Sequence, residues 1–288
     1  MSTHLGLLTS EDGVSLHQFI LRSGGADELL MLHGVGRAGR TFSSFATMLP
    51  ERFRVRAIDF RGHGQSGRAG DRYRVVDYAR DAVAAVEAIG RPTAVYGHSL
   101  GSLVAVAVAS RIPHLVSAII LEDPPSPAFW KILESTHYYP TFQAMRLWAG
   151  RHDLPLSELA QRFGHETLKT YADGRVLRIS DVRDAVSLRF TASCIRDLDP
   201  MVMQTILDGR WADDYDFHEL LRSIQCPVLL MRGDVAKGGM LPEDDAESLM
   251  NLLSDGVRID FATAGHLLHW QVRSEAAMHA SAFLETAG

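Results

Sequence analysis

The sequence predicts an α/β fold built on a mostly parallel sheet. Three observations carry that expectation. Short apolar runs recur, each cut off by Gly, Asp or Glu, as the buried strands of parallel sheets are. Segments of helical periodicity lie between them. A long helix-rich stretch then interrupts the alternation, which resumes near the C-terminus.

Taken in order, Val14–Leu21 alternates with period two and reads as an early strand. Glu28–Leu32 stops at His33-Gly34, Phe53–Ile58 at Asp59, Thr93–Tyr96 at Gly97, and Ala118–Leu121 at Glu122-Asp123. Between them, Tyr78–Ile89 gathers Ala79, Val83, Val86 and Ile89 near one face of a helix. Leu100–Arg111 is apolar nearly all round, which predicts a buried helix. From Pro124 to Tyr215 strand signals are few and large side chains cluster, as expected of a helical insertion. The α/β rhythm returns with a strand at Pro227–Met231, a helix at about Glu243–Leu253, a last strand at Val257–Phe261 and a C-terminal helix from about Leu267 to Leu284.

Composition narrows the function. The 288 residues are 46% hydrophobic and carry a formal net charge of −6, which offers no electrostatic footprint for nucleic acid or an anionic membrane. A small-molecule substrate is the expected partner, and monomer and homodimer are both open. Cys194 and Cys226 fit no metal-ligand spacing and read as ordinary thiols of a reducing compartment. The N-terminus lacks a basic region followed by an apolar stretch, and the run Leu103–Ala109 is too short to span a bilayer, so a cytoplasmic protein is expected.

The strongest chemical signal is Gly97-His98-Ser99-Leu100-Gly101, a G-x-S-x-G placed between an apolar strand and an apolar helix. So sharp a turn puts the serine in a strained backbone conformation. Glycines two places either side let strand and helix approach without a Cβ clash. The hydroxyl then projects above the sheet, and the Leu100 amide, at the helix start, is free to stabilise an oxyanion. A serine hydroxyl needs an adjacent base. Of 13 histidines, His266 follows a glycine at the end of a strand and has the right chain order.

With these motifs the chain resembles the α/β-hydrolase family over nearly its whole length. His33-Gly34-Val35-Gly36 resembles the family's oxyanion loop, Asp59-Phe60-Arg61-Gly62-His63-Gly64-Gln65-Ser66 its D-x-R-G-x-G-x-S turn, and Gly265-His266 its catalytic histidine loop. The resemblance implies a mostly parallel eight-stranded core sheet flanked by helices, formed by residues 1–124 and 216–288, with a helical cap at 125–215. It makes Ser99 the nucleophile, His266 the base, and the amides of Val35 (Gly36 less so) and Leu100 the oxyanion hole. Asp59, Arg61 and His63 become scaffold, although Arg61 and His63 are also placed to line a pocket mouth. His33 and His98 become structural. No metal or organic cofactor is implied.

The acid has two family positions. After Pro227–Met231 the family pattern would place an aspartate where this chain has Ala236, and Asp234 comes two residues early. The second position, after the strand that follows the nucleophile helix, holds Asp123. Asp123 is preferred and Asp234 is the alternative, with Glu122 facing the other way. In the insertion, Trp130, Tyr138, Tyr139 and Trp148, with Phe129, Phe142 and Met145, are expected either to wall an apolar pocket or to form the cap's own core. Arg37 reads either as a rim residue that meets a substrate carboxylate or as a solvated charge. The implied activity is hydrolysis of a small to medium, largely apolar carboxylic ester or lactone. A carbon–carbon or thioester hydrolase and a catalytically weak ligand sensor are the alternatives.

Overall fold

The computed structural model describes residues 3–287. Eight strands form one sheet in the order β1-β2-β4-β3-β5-β6-β9-β10. They are β1 (Thr3–Thr9), β2 (Ser15–Arg22), β3 (Asp27–Leu32), β4 (Phe53–Ile58), β5 (Thr93–His98), β6 (Val116–Glu122), β9 (Val228–Gly233) and β10 (Gly256–Phe261). β1 and β2 pair antiparallel, β2 joins β4 antiparallel, and every other neighbour is parallel. The mostly parallel eight-stranded sheet is therefore present. β1 is the strand the sequence reading left out. Leu5 and Leu7 on it are exposed, and Gly6, at φ +97°, marks a shift of register, so no buried face wrote a pattern into the sequence.

The central strands are buried on both faces, and alternate residues feed two cores. Leu30 and Leu32, Val95, and Ile119 and Leu121 pack on one side with the helices Val75–Ile89 and Leu100–Arg111. Leu29 and Met31, Ala94 and Tyr96, and Ala118 and Ile120 pack on the other with Phe42, Phe45 and the helix Arg273–Thr286. Period-two geometry with both faces covered is why these strands read as unbroken apolar runs. Leu100–Arg111 is rich in Val, a poor helix former, yet every residue from Leu100 to Ala109 is buried, so packing sets its conformation.

Between β6 and β9 the chain leaves the sheet. This stretch holds the helices Pro127–Ile132, Tyr138–Trp148, Leu156–His165, Ile179–Val182, Ala185–Arg196, Pro200–Leu207 and Phe217–Arg222. Their starts are written in the sequence. Ser126 and Asp199 accept from the amides of Phe129 and Met201, each followed by proline at the first helical position. A hairpin, β7 (Thr167–Thr170) and β8 (Val176–Arg178), was not expected. It turns at Asp173-Gly174, with Gly174 at φ +83°, and its exposed strands bury too little to leave a pattern. Among the described residues no helix is long and apolar enough to cross a membrane.

Candidate active site

Ser99 sits between β5 and the buried helix with φ 56° and ψ −118°, a conformation L-residues seldom adopt. The reason for the flanking glycines is measurable. A Cβ on Gly97 would lie 2.2 Å from the Gly101 carbonyl oxygen, and one on Gly101 would lie 2.0 Å from that of Leu32. The Ser99 amide donates to Glu122 O at 2.9 Å, tying the turn to the end of β6. As the first N–H of its helix, the Leu100 amide has no intrahelical acceptor.

His266 follows β10. Gly265 before it is required, because a Cβ there would lie 2.0 Å from Lys237 O. His266 Nδ1 is 2.7 Å from Asp123 Oδ2. The Asp123 carboxylate is fully buried and also accepts from the amides of Gly233 (3.0 Å) and Met240 (2.9 Å). Asp123 has φ 45°, so of the three non-glycine residues at positive φ among the described residues, two are Ser99 and Asp123. Asp234 does something else: its side chain caps a short turn by accepting from the Ala236 amide at 2.9 Å. Asp123 is thus the carboxylate on the imidazole.

The loop after β3 is held by two imidazoles. His63 Nε2 accepts from the Gly36 amide at 3.1 Å while its Nδ1 donates to Arg61 O. His33 Nδ1 donates to Gly34 O, and its Nε2 accepts from the Phe60 amide. Burial pushes the His63 pKa down to about 3 and lowers that of His33, which keeps both rings neutral and able to accept. Gly36 is therefore engaged, whereas no hydrogen bond among the described residues takes the Val35 amide. Gly34 must be glycine, since a Cβ would lie 2.7 Å from His98 Nδ1. Asp59 accepts from the amides of Gly39 and Gln65, and Arg61 pairs with Asp81 and Asp12. Arg61 and His63 are buried and line neither cavity at Ser99, so the pocket-mouth expectation is corrected.

Two cavities meet at Ser99 and Val35. One is a chamber of about 680 Å³, bordered by His266 and by His137, Tyr138, Arg183 and Trp270 among others. The other is an apolar slot of about 20 Å³ between Phe129, Leu133, Phe142, Ile206 and Trp211. Of the side chains expected on substrate, Tyr138 lines the chamber and donates its hydroxyl to Gly238 O. Trp130, Tyr139 and Trp148 line neither cavity. Trp130 packs against Trp211, Tyr215 and Phe217, and Trp148 donates to Glu166 at 2.8 Å between Arg151 and Arg162. Arg37 is not solvated, being 5% exposed and on the chamber wall. Arg183 went unnoticed in the sequence, because it lies in a turn of the insertion with no motif around it.

Among the described residues one group of metal-type donors exists, His98, Glu122 and His269, with ligand atoms within 4.8 Å of one another. Both Glu122 oxygens already accept, from His269 and from the Tyr96 hydroxyl. That cluster is a hydrogen-bonded core network rather than an open coordination site. Cys194 and Cys226 are both free thiols.

A family model described as alpha/beta hydrolase fold matches residues 28–271. Pimeloyl-(acyl-carrier protein) methyl ester esterase of Methylococcus capsulatus is 37% identical over 105 residues, 36% of this chain and 39% of that protein. The protein of the same name from Aliivibrio fischeri is 23% identical over 247 residues, 84% of this chain and 88% of its own length. The matches to the first relatives thus span well under half of those proteins. Among solved structures, an esterase from Exiguobacterium antarcticum superposes with a TM-score of 0.73 at 17% identity, covering 97% of this chain and 99% of that one.

Proposed function

From the premise that this chain belongs to the α/β-hydrolase fold family, we propose that it is a serine hydrolase that cleaves a carboxylic ester or lactone through an acyl-enzyme. The observation that carries this is the convergence of a strained serine elbow and an Asp123-bound imidazole on one chamber. Ser99 Oγ attacks the carbonyl carbon and His266 Nε2 takes its proton. Asp123 fixes the imidazole tautomer and stabilises the imidazolium. The amides of Leu100 and Val35 hold the oxyanion; one such donor typically contributes about 3–4 kcal/mol. The C–O bond to the alcohol breaks, and the alcohol leaves with the proton from His266. Water, deprotonated by His266, adds to the acyl carbon, and the acid leaves as Ser99 regains its proton. The relatives named methyl ester esterases support ester chemistry.

The two cavities divide the substrate. His266 borders the chamber and not the slot, so the leaving group, which receives its proton there, occupies the chamber. The slot, at about 20 Å³, takes a short acyl substituent such as methyl. Residues 125–215 act as the cap that encloses both.

Intact-mass labelling with a neutral fluorophosphonate tests the reading. Wild type is expected to gain one adduct and Ser99→Ala none. A folded wild type that stays unlabelled, or an adduct that persists in Ser99→Ala, would overturn it.

A further inference from the structure

The chamber beside Ser99 carries two guanidinium groups that no carboxylate of the described residues pairs with. Arg37 follows the loop after β3, and Arg183 lies between the helices Ile179–Val182 and Ala185–Arg196, so they approach from the sheet and from the inserted segment. Among the described residues neither has an acidic oxygen within 4 Å, although most arginines of this chain that lie in the fold do, Arg61 on Asp81 and Arg56 on Glu28 for example. Arg37 gives one of its five donors to Thr191 Oγ1 at 2.9 Å and lies 5.8 Å over the Trp270 ring. Arg183 Nη1 is buried with no hydrogen-bond partner among the described residues. Lys237 is at the exposed rim of the same chamber, and His137 borders it. The acid on this wall is Asp184, exposed, one of whose oxygens is taken by the Ser187 amide.

Such an arrangement is costly without an anion. Burying an unpaired charge is unfavourable, and placing two of like sign on one wall adds repulsion. Both effects register on Arg37: burial pushes its pKa down to about 10, and the positive charge of Arg183 acts in the same direction. Burial lowers Arg183 as well. A strut between sheet and insertion does not need this chemistry. Arg40 already joins the two, donating to Ser193 O at 3.0 Å.

We propose that Arg37 and Arg183 form an anion site for a carboxylate carried by the substrate, on the part that occupies the chamber. The substrate class becomes an ester or lactone bearing a free carboxylate, rather than the largely apolar ester or lactone expected from the sequence. A carboxylate between two guanidiniums receives charge-assisted, geometrically matched hydrogen bonds and removes their mutual repulsion. It also fixes where the scissile carbonyl falls relative to Ser99. This inference rests on Ser99 as nucleophile.

The test compares matched esters that differ in a carboxylate on the alcohol, the part assigned to the chamber: 4-acetoxybutanoate against butyl acetate, with 5-acetoxypentanoate against pentyl acetate as a second pair. Wild type, Arg183→Gln and Arg183→Lys are assayed for kcat/KM, with the neutral fluorophosphonate adduct measured on each. Wild type is expected to favour the carboxylate member of at least one pair by about tenfold or more, the range of a hydrogen bond to a charged group. Arg183→Gln is expected to bring that ratio toward one, and Arg183→Lys to restore much of it. Equal rates, a preference for the neutral esters, a ratio that survives in Arg183→Gln, or a labelled enzyme that turns over neither ester would each overturn the anion site and leave the serine reading standing. A folded protein that neither labels nor hydrolyses would overturn both.

Discussion

Strand β6 ends at Glu122 and Asp123 follows it; the two acids face opposite ways, and each holds an imidazole. Asp123 lies 2.7 Å from His266 Nδ1, and Glu122 lies 2.8 Å from His269 Nδ1. As pairs they are chemically alike, but their surroundings differ. His266 borders the chamber with Ser99, and no hydrogen bond among the described residues takes its Nε2. His269 is fully buried, its ring 4.8 Å from Phe42, with Nε2 3.3 Å from Thr41 Oγ1. Glu122 accepts further bonds from the His269 amide and the Tyr96 hydroxyl. The difference teaches that an acid–imidazole pair becomes candidate machinery only where the second ring nitrogen opens on a cavity. Closed off, the same pair joins β5, β6 and the chain after His266 into one core.

The largest effect should come from breaking the open pair. Asp123→Asn is expected to lower kcat on a neutral acetate ester by about 10⁴-fold, because an amide favours the wrong imidazole tautomer and cannot stabilise the imidazolium. Steady-state kinetics at saturating ester, with thermal unfolding to show that the variant is folded, gives the answer. A loss below about tenfold would remove Asp123 from the mechanism.

Glu122→Gln should act instead on stability. Losing one member of a buried pair typically costs about 3–5 kcal/mol. The pH dependence sharpens the contrast. Burial works to raise the Glu122 pKa, but the charges of His269 and His98 and the bonds from His269 and Tyr96 outweigh it and hold it at about 2. A carboxylate whose folded pKa lies below its unfolded value stabilises the protein above about pH 4.5, and that contribution is lost as pH falls toward 2. Glu122→Gln should therefore unfold at lower urea concentration at pH 7, and its midpoint should fall less steeply than the wild-type midpoint between pH 4.5 and 2. If kcat fell more for Glu122→Gln than for Asp123→Asn, the closed pair would be the active one.

Much of this was legible from local chemistry. Strands buried on both faces leave unbroken apolar runs, and the elbow demands glycines at 97 and 101 because a Cβ there meets backbone within 2.2 Å. Asp123 and Glu122 were separable because adjacent residues on a strand face opposite sides. What the sequence hid depends on distant packing. Trp130 and Trp148 carry the same apolar signal whether they line a pocket or fill a core, and they pack within and beneath the insertion. Arg183 has no neighbouring motif, and only the folded chain brings it to the wall that Arg37 occupies. Arg37 stood out by its place in the loop, but its burial did not follow from any local pattern.

The smallest effect should come from Asp234, the other acid that chain order allows. Its side chain accepts from the Ala236 amide, a capping role that asparagine fills about equally well, so Asp234→Asn should change stability by no more than about 0.5 kcal/mol. Its backbone matters more. The Asp234 amide donates to Ala264 O at 2.8 Å and its carbonyl accepts from the Gly239 amide at 2.9 Å. These bonds brace the loop whose Met240 amide binds Asp123 against the chain leading to His266. Substituting the side chain leaves that brace intact, so kcat should stay within about twofold, far from the loss expected for Asp123→Asn. Comparable losses in the two variants would mean that the loop after β9 swings Asp234 onto His266 during turnover, and the acid would then have to be assigned to the pair rather than to Asp123 alone.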